Sequence, residues 1–584
     1  MISAALTDWR WCNGLVDELP ARYERSIISR YTTKYKKDSV AANVWLRVVM
    51  GKIKRVKMPL IAISSDDSAA SWAAEYYRLR YTTARNSFTI IDELFARYMH
   101  LKAYAEKAGF VAPGSDRKQL TADQLSQCVA QLDNEKWWQR QAKRTAAMAR
   151  EYMALALGLV GKGGQNYISA EAMAEWKKQQ QNAAEFLEVN YIACEMDTDS
   201  GQDWEFLQLA EASKAGTADP RIRRLEMMTR IRGMKEAAEA AGQVAVFITW
   251  TAPGVYHVNS QRRWNGADPR DTQRYLTGQW AKCRAELNAE KITVSGLRVV
   301  EPHNDETPHW HLLLFVAPGQ KAALLNIMRR YALQHLADEK GAQQHRFTVE
   351  EIDPAKGCAV AYIAKYISKS INAEHVKDEA DTDQGEETGD TIGEAAEKCR
   401  AWASRWRIRQ FQFIGSPPVT IWRELRRIRE GLDSEPAALS RIDLIHHAAD
   451  RGNFAAFIKL MGGKRSEYPV NTIKRVQETS SGTIREKIAG IITAAGAYTI
   501  TRKNWFSVGS IAGSLSRFCS WQGASRAAWT RVNNCKLDPE AVNEKLAAAT
   551  QGRPAIVGYL DALGRWIVEK VTDYFNKDYE YEYA

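Results

Sequence analysis

Hydrophobic spacing divides the chain into three stretches. From residue 1 to about 235 the apolar positions recur at helical spacing, most clearly over 90–108 and 133–159. A further helix opens at Pro220, with proline at a natural first-turn position ahead of Arg221-Ile222-Arg223-Arg224-Leu225. The texture changes at Val244-Ala245-Val246-Phe247-Ile248-Thr249-Trp250-Thr251, a strand-like run stopped by Ala252-Pro253-Gly254. A helix over 269–288 follows, then strands over 292–302 and 308–316, a helix over 320–340, a strand over 346–352, a helix over 355–370 and a strand over 408–414. The order is β-α-β-β-α-β-α-β. The two central strands are joined by only His303-Asn304-Asp305-Glu306-Thr307, which makes them antiparallel neighbours. Helices to one side of such a sheet define an α+β class. From about 431 to 584 the pattern reads as mainly helical again, with an acidic, tyrosine-rich tail at 573–583.

Length and charge refine this division. A chain of 584 residues is too long for one core. The expected units are 1–235, a central domain over 236–430, and 431–584. The formal net charge of +11 favours a polyanionic partner. Between Glu374 and Lys398 ten acids face two lysines, so 373–398 reads as a disordered insertion before the last strand. The eight cysteines are scattered without a CxxC, which argues against a zinc ribbon and fits a reducing compartment. No signal peptide and no membrane-spanning run is legible. Gly158-Leu159-Val160-Gly161-Lys162-Gly163-Gly164 resembles a phosphate loop only superficially, with the wrong spacing and no Ser or Thr after the lysine. No ATP site is therefore expected.

The chemistry gathers in the central stretch. His309 and His311 flank Trp310 at the head of an apolar strand, so the two imidazoles share a face and the indole takes the other. Two imidazoles on a rigid strand are half of a divalent-metal site. Glu301, near the end of the preceding strand, falls opposite or diagonal to His309 and is the natural third ligand; His303, two residues on, is the rival. Tyr362 and Tyr366 are four apart and share one helical face. Lys365 and Lys369 could favour a phenolate or hold a phosphate, or be the wet face of the helix. A metal-binding histidine pair followed by paired tyrosines points to DNA cleavage through a phosphotyrosine, which conserves the energy of the broken bond. The arginines at 405, 407, 409, 423, 426, 427 and 429 could contact phosphates or lie on an ordinary solvated face, and Trp402, Trp406 and Trp422 read as core.

These residues resemble a known family. His309-Trp310-His311 is similar to the His-hydrophobe-His motif of the HUH endonucleases, and Tyr362-Ile363-Ala364-Lys365-Tyr366 to their two-tyrosine motif. The likeness is strongest to the phage replication gene A proteins, through Phe247–Pro253, Glu301–His311 and Phe411–Pro418, and it spans roughly 140–430. It implies an HUH-type (Rep-like, ferredoxin/RRM-like) nuclease domain flanked by helical regions. It implies that His309, His311 and Glu301 bind Mg²⁺ or Mn²⁺ and that Tyr362 and Tyr366 are nucleophiles. By the same likeness the substrate is single-stranded DNA at a phage origin, nicked to leave a 5′-phosphotyrosine and a free 3′-OH. A host helicase and polymerase would be partners, in the cytoplasm of an infected or lysogenic bacterium. A conjugative relaxase or transposase shares this chemistry. A non-catalytic origin binder and a water-using metal hydrolase are the readings from other classes. One departure is Glu306, where the family pattern leads one to expect glycine before Thr307-Pro308-His309.

Overall fold

A computed structural model of the chain describes residues 2–56, 58–81, 94–115, 117, 119–198, 201–352, 359–371, 380–383, 386–428, 441–462, 467–478, 484–494, 496–502 and 505–510. Its centre is a five-stranded antiparallel sheet of β1 (Val244–Trp250), β2 (Ser295–Pro302), β3 (Pro308–Val316), β4 (Phe347–Glu350) and β5 (Phe411–Ile414). The strands lie in the order β4-β1-β3-β2-β5. All eight expected elements of the central stretch are present in the expected order, with helices Pro269–Ala289, Lys321–Ala332 and Ala359–Ile371 between the strands. Asp268 caps the first of these helices through a capping box, and Pro269 supplies a first-turn residue with no N–H to satisfy.

Both faces of the sheet are covered, which corrects the expectation of helices to one side. All nine positions of β3 are buried. Trp310, Leu312, Leu314 and Val316 pack with Val246, Ile248 and Trp250 and with Leu276, Trp280 and Met328 of the helices behind them. Leu313 and Phe315 pack on the other face with Phe247, Leu297 and Val299, under helices Pro220–Ala240 and Ala359–Ile371. The physical reason was in the sequence: Leu312-Leu313-Leu314-Phe315 does not alternate, and a strand apolar on both faces must be buried on both.

The insertion at 373–398 is also corrected. Ala380–Asp383 and Glu386–Thr391 pair as an antiparallel hairpin, and a helix runs over Ile392–Trp406. Thr391 caps this helix in a capping box with Glu394. Its inner stripe is Ile392, Ala395, Ala396, Cys399, Trp402, Ala403 and Trp406, all buried. That stripe has helical spacing but few bulky residues, so the acid count hid it. Residues 372–379 and 384–385 lie outside the described part.

The flanking regions are less uniformly helical than the pattern suggested. Helices account for most of the described residues before 190, but Asn190–Thr198 and Gly201–Gln208 form a hairpin. Beyond 440, helices Arg441–Asp450 and Phe454–Met461 give way to strands Val470–Glu478, Ile484–Thr493 and Tyr498–Ile500, which form their own sheet. Trp505–Ser510 then adds to the hairpin beside Asn190–Cys194. The β-branched residues Ile473, Val476, Ile488, Ile491 and Ile492 favour strand here. The tyrosine-rich tail lies outside the described residues. Among the described residues no helix is long and apolar enough to cross a membrane.

Candidate metal centre and tyrosine pair

The centre is built by strand register. Glu301 of β2 pairs directly with His309 of β3, and Val299 with His311. Glu301, His309 and His311 therefore project from one face, the face carrying Leu297, Val299 and Leu313. Their ligand atoms all lie within 4.8 Å of one another, and all three side chains are buried. The two Nε2 atoms of His309 and His311 converge to 2.9 Å. Thr249 of β1, the register partner of His311, places its Oγ1 3.1 Å from His311 Nδ1. That contact orients the ring and leaves Nε2 for a ligand. Ser370 donates a hydrogen bond to Glu301 Oε1 at 3.0 Å.

The protonation state of the imidazoles suits metal ligation. Burial, with the neighbouring positive charge of Lys369, holds both His309 and His311 well below the usual imidazole range. They are neutral at physiological pH, the form in which imidazole binds metal. Two neutral imidazoles and a carboxylate can hold a divalent ion, and this donor set does not single out one metal.

His303, the rival ligand, stands outside this cluster. Its ring lies over that of His309 at a centroid separation of 4.0 Å and tilts toward His257 at 4.9 Å. Burial depresses its pKa to about 3. Beyond it, His257 Nδ1 sits 3.5 Å from Asp305. Burial alone would raise the Asp305 pKa, but His257 and a backbone amide from Asn259 hold it well below the ordinary range.

The helix Ala359–Ile371 brings the tyrosines onto the same face. Tyr366 stacks on His311, with centroids 3.8 Å apart and planes at 23°. It also stacks on Phe247 at 5.6 Å. Tyr362, one turn back, packs against Phe247 at 6.1 Å. Both tyrosines are half-buried. The lysines separate: Lys365 is exposed, whereas Lys369 is buried with Nζ 3.9 Å from Glu301 Oε2. Lys369 is thus not a wet-face residue.

The five-residue connection between β2 and β3 is tight. His303 N–H bonds to Thr307 O at 2.8 Å and Glu306 N–H to His303 O at 2.9 Å. Glu306 has φ +68°, a left-handed conformation that glycine adopts without strain. The glycine expected there and the glutamate found there thus answer the same turn. What offsets the strain is the side chain, fully buried and bonded by Trp406 Nε1, while Trp402 Nε1 bonds the Glu306 carbonyl at 3.1 Å. Burial, together with the Glu151 carboxylate beside it, pushes the Glu306 pKa well above the ordinary range. Glu151 in turn accepts from Ser169 N at 2.7 Å.

A raised acid pKa has a definite sign. An unfolded glutamate ionises near ~4.3, so stability from protonated Glu306 is present in full below that pH and is lost as pH rises through the folded value. Glu306→Gln keeps the neutral shape at every pH. Its melting temperature is expected to match wild type below about pH 4 and to exceed it increasingly as pH rises from there toward the folded value. Equal pH slopes for the two proteins would refute the assignment. Glu306→Ala, which strips Trp406 and Glu151 of their partner and leaves a cavity, is expected to cost about 2–4 kcal/mol.

Of the arginines set aside as possible phosphate contacts, Arg429 lies outside the described residues and several of the others are engaged. Arg423 makes a two-pronged bond to Glu226, at 2.9 and 2.8 Å. Arg405 pairs with Glu175, and Arg427 lies 3.4 Å from the buried Glu424. Trp402, Trp406 and Trp422 are fully buried, as core residues. The sequence motifs do not include Thr249, Ser370 or the two indoles at Glu306. Ser370 alone had a signal, lying four residues beyond Tyr366 on the same helical face.

Fold and site together define an α+β protein with a buried two-histidine, one-carboxylate cluster against a tyrosine-bearing helix. The family model of the bacteriophage replication gene A protein (GPA) matches residues 64–374. The chain is 38% identical over 527 residues to a probable replication protein of Pseudoalteromonas phage PM2, covering 89% of this chain and 77% of that one. It is 35% identical over 503 residues to the replication gene A protein of Escherichia phage 186, covering 82% and 70%. A probable replication endonuclease from a prophage-like region of Salmonella typhi is 32% identical over 447 residues, covering 73% and 52%. No solved structure matches the chain. The chain belongs to the bacteriophage replication gene A protein family.

Proposed function

We propose that the protein is a site-specific single-strand DNA endonuclease and strand-transferase that nicks a phage replication origin and starts rolling-circle replication. The observation that carries this reading is Tyr366, stacked 3.8 Å from the ring of His311 and so adjacent to the Glu301–His309–His311 cluster. Relatives bearing the names replication gene A protein and replication endonuclease support the same class.

Glu301, His309 and His311 would hold Mg²⁺ or Mn²⁺, which supplies Lewis-acid polarisation of a phosphate oxygen. Tyr366 gives up its phenolic proton and its Oη bonds to phosphorus. The bond from phosphorus to the 3′ oxygen breaks, and that oxygen takes a proton. The products are a 5′-phosphotyrosine and a free 3′-OH, with no net loss of the ester. Tyr362, one helical turn away, can attack a second phosphodiester while the first ester persists. Lys365, exposed and one residue before Tyr366, would meet a phosphate. A host helicase and polymerase would extend the 3′ end in the bacterial cytoplasm.

The test is an adduct assay. Full-length protein, a labelled single-stranded origin oligonucleotide and Mn²⁺ are run on a denaturing gel, and the modified peptide is mapped by mass spectrometry. A DNA-shifted band on Tyr366 is expected. Cleavage without any shifted band would mean that water is the nucleophile and would overturn the phosphotyrosine reading.

A further inference from the structure

We propose that Tyr167, on the glycine-rich loop over 158–169, is a positioning residue of the nicking centre that fixes the Lys369 ammonium against Glu301. This rests on reading Glu301, His309 and His311 as that centre. The loop is the stretch that mimics a phosphate-binding motif, and the structure gives it another use. It closes on itself through Gly161 N to Gln165 O at 2.9 Å and Gln165 N to Leu159 O at 2.8 Å. It then docks on the turns around the centre. Lys162 N–H bonds to Asn259 Oδ1 at 2.9 Å, and Tyr167 N–H bonds to Asn304 O at 3.1 Å. Gly161 has φ +96°, and a Cβ there would lie 2.5 Å from Asn259 Oδ1 and 3.1 Å from Asp305 Cβ. Only glycine allows this approach.

Docking delivers Tyr167 to the inside. It is fully buried and holds φ +68°, a conformation disfavoured for a residue with a Cβ. Lys369 Nζ donates to its Oη at 3.4 Å and lies 5.2 Å from its ring centroid. The same Nζ is 3.9 Å from Glu301 Oε2, while the next residue, Ser370, bonds Glu301 Oε1 at 3.0 Å. Consecutive residues of the tyrosine helix thus address both oxygens of the candidate ligand. A buried ammonium goes where its partners are, because an uncompensated charge is costly in a low-dielectric interior. The phenol holds it off the carboxylate by a hydrogen bond and by the face of its ring. An ammonium that loses the phenol closes on Glu301 and competes with a metal ion for Oε2. A side chain from outside the 236–430 stretch therefore sets the electrostatics of the centre.

Tyr167→Phe keeps the ring and removes only the oxygen. With a labelled single-stranded origin oligonucleotide and Mn²⁺, single-turnover nicking by Y167F is expected to slow roughly tenfold, the scale of one hydrogen bond to a charged group. DNA affinity and melting temperature are expected to stay at wild-type values. The Mn²⁺ affinity, read by calorimetry without DNA, is expected to weaken several-fold. In a Lys369→Met background the same change is expected to alter neither rate nor Mn²⁺ affinity. Additive losses in the double variant, a wild-type rate in Y167F, or a loss that tracks a falling melting temperature would each overturn the proposal. The calorimetric cycle keeps the two readings apart. A wild-type protein that forms no covalent adduct refutes the phosphotyrosine chemistry, whereas an uncoupled Mn²⁺ cycle refutes the role of Tyr167.

Discussion

His309→Ala is expected to lower single-turnover nicking by about a thousandfold or more, the scale seen when a principal source of transition-state charge stabilisation is lost. It is also expected to abolish Mn²⁺ binding measured by calorimetry. His309 stands opposite Glu301 in the strand register, and its Nε2 meets that of His311 at 2.9 Å, so its removal takes one of the three donors out of the cluster. Glu301 and His311 remain, 4.0 Å apart, but two donors on rigid strands rarely hold a divalent ion without a third. The substitution also leaves a cavity under the ring of His303, so a melting curve must show that the fold survives. Nicking at the wild-type rate by folded His309→Ala, or by wild type in EDTA, would sink the metal assignment.

The second large effect separates the tyrosines. Tyr366→Phe is expected to remove the adduct formed in the first cleavage and to slow that step by about a thousandfold, the loss expected of an essential nucleophile. Tyr362→Phe is expected to leave the first nick within about threefold of wild type and to impair rejoining. The asymmetry follows from packing: Tyr366 lies on His311, whereas Tyr362 is a turn removed and rests on Phe247. Phenylalanine retains both ring contacts, so DNA binding and stability should hold. Equal loss of the first adduct in both variants would show that the helix presents either tyrosine.

Much of this centre was legible because it is carried by short-range geometry. A two-residue repeat fixed the shared face of His309 and His311. A five-residue connection fixed the pairing that sets Glu301 opposite His309, and a four-residue step placed both tyrosines on one helical face. Thr249 could not be read this way, because its contact with His311 depends on which strand lies beside β3. Tyr167 and Glu151 arrive from residues far upstream, and no local period marks such a meeting. The helix Ile392–Trp406 escaped for a different reason. Its alanine-rich stripe is weakly hydrophobic and lies among acids that face water, so composition outweighed spacing. The strands beyond 467 were missed because short β-branched runs and helical turns have similar apolar density, and the partner strand decides between them.

The pairing of Asn190–Cys194 with Trp505–Ser510 bears on how the protein is made. Every described side chain of the candidate centre has left the ribosome once Trp406 is free. The hairpin at 190–208 must wait for the chain to be translated past Ser510 before its outer strand is covered. During that interval it presents an open edge to neighbouring nascent chains, the arrangement most prone to mispairing. Slow synthesis between these two points should therefore lower the yield of folded protein more than slow synthesis elsewhere. The centre and the sheet that joins the two flanks would mature at different times.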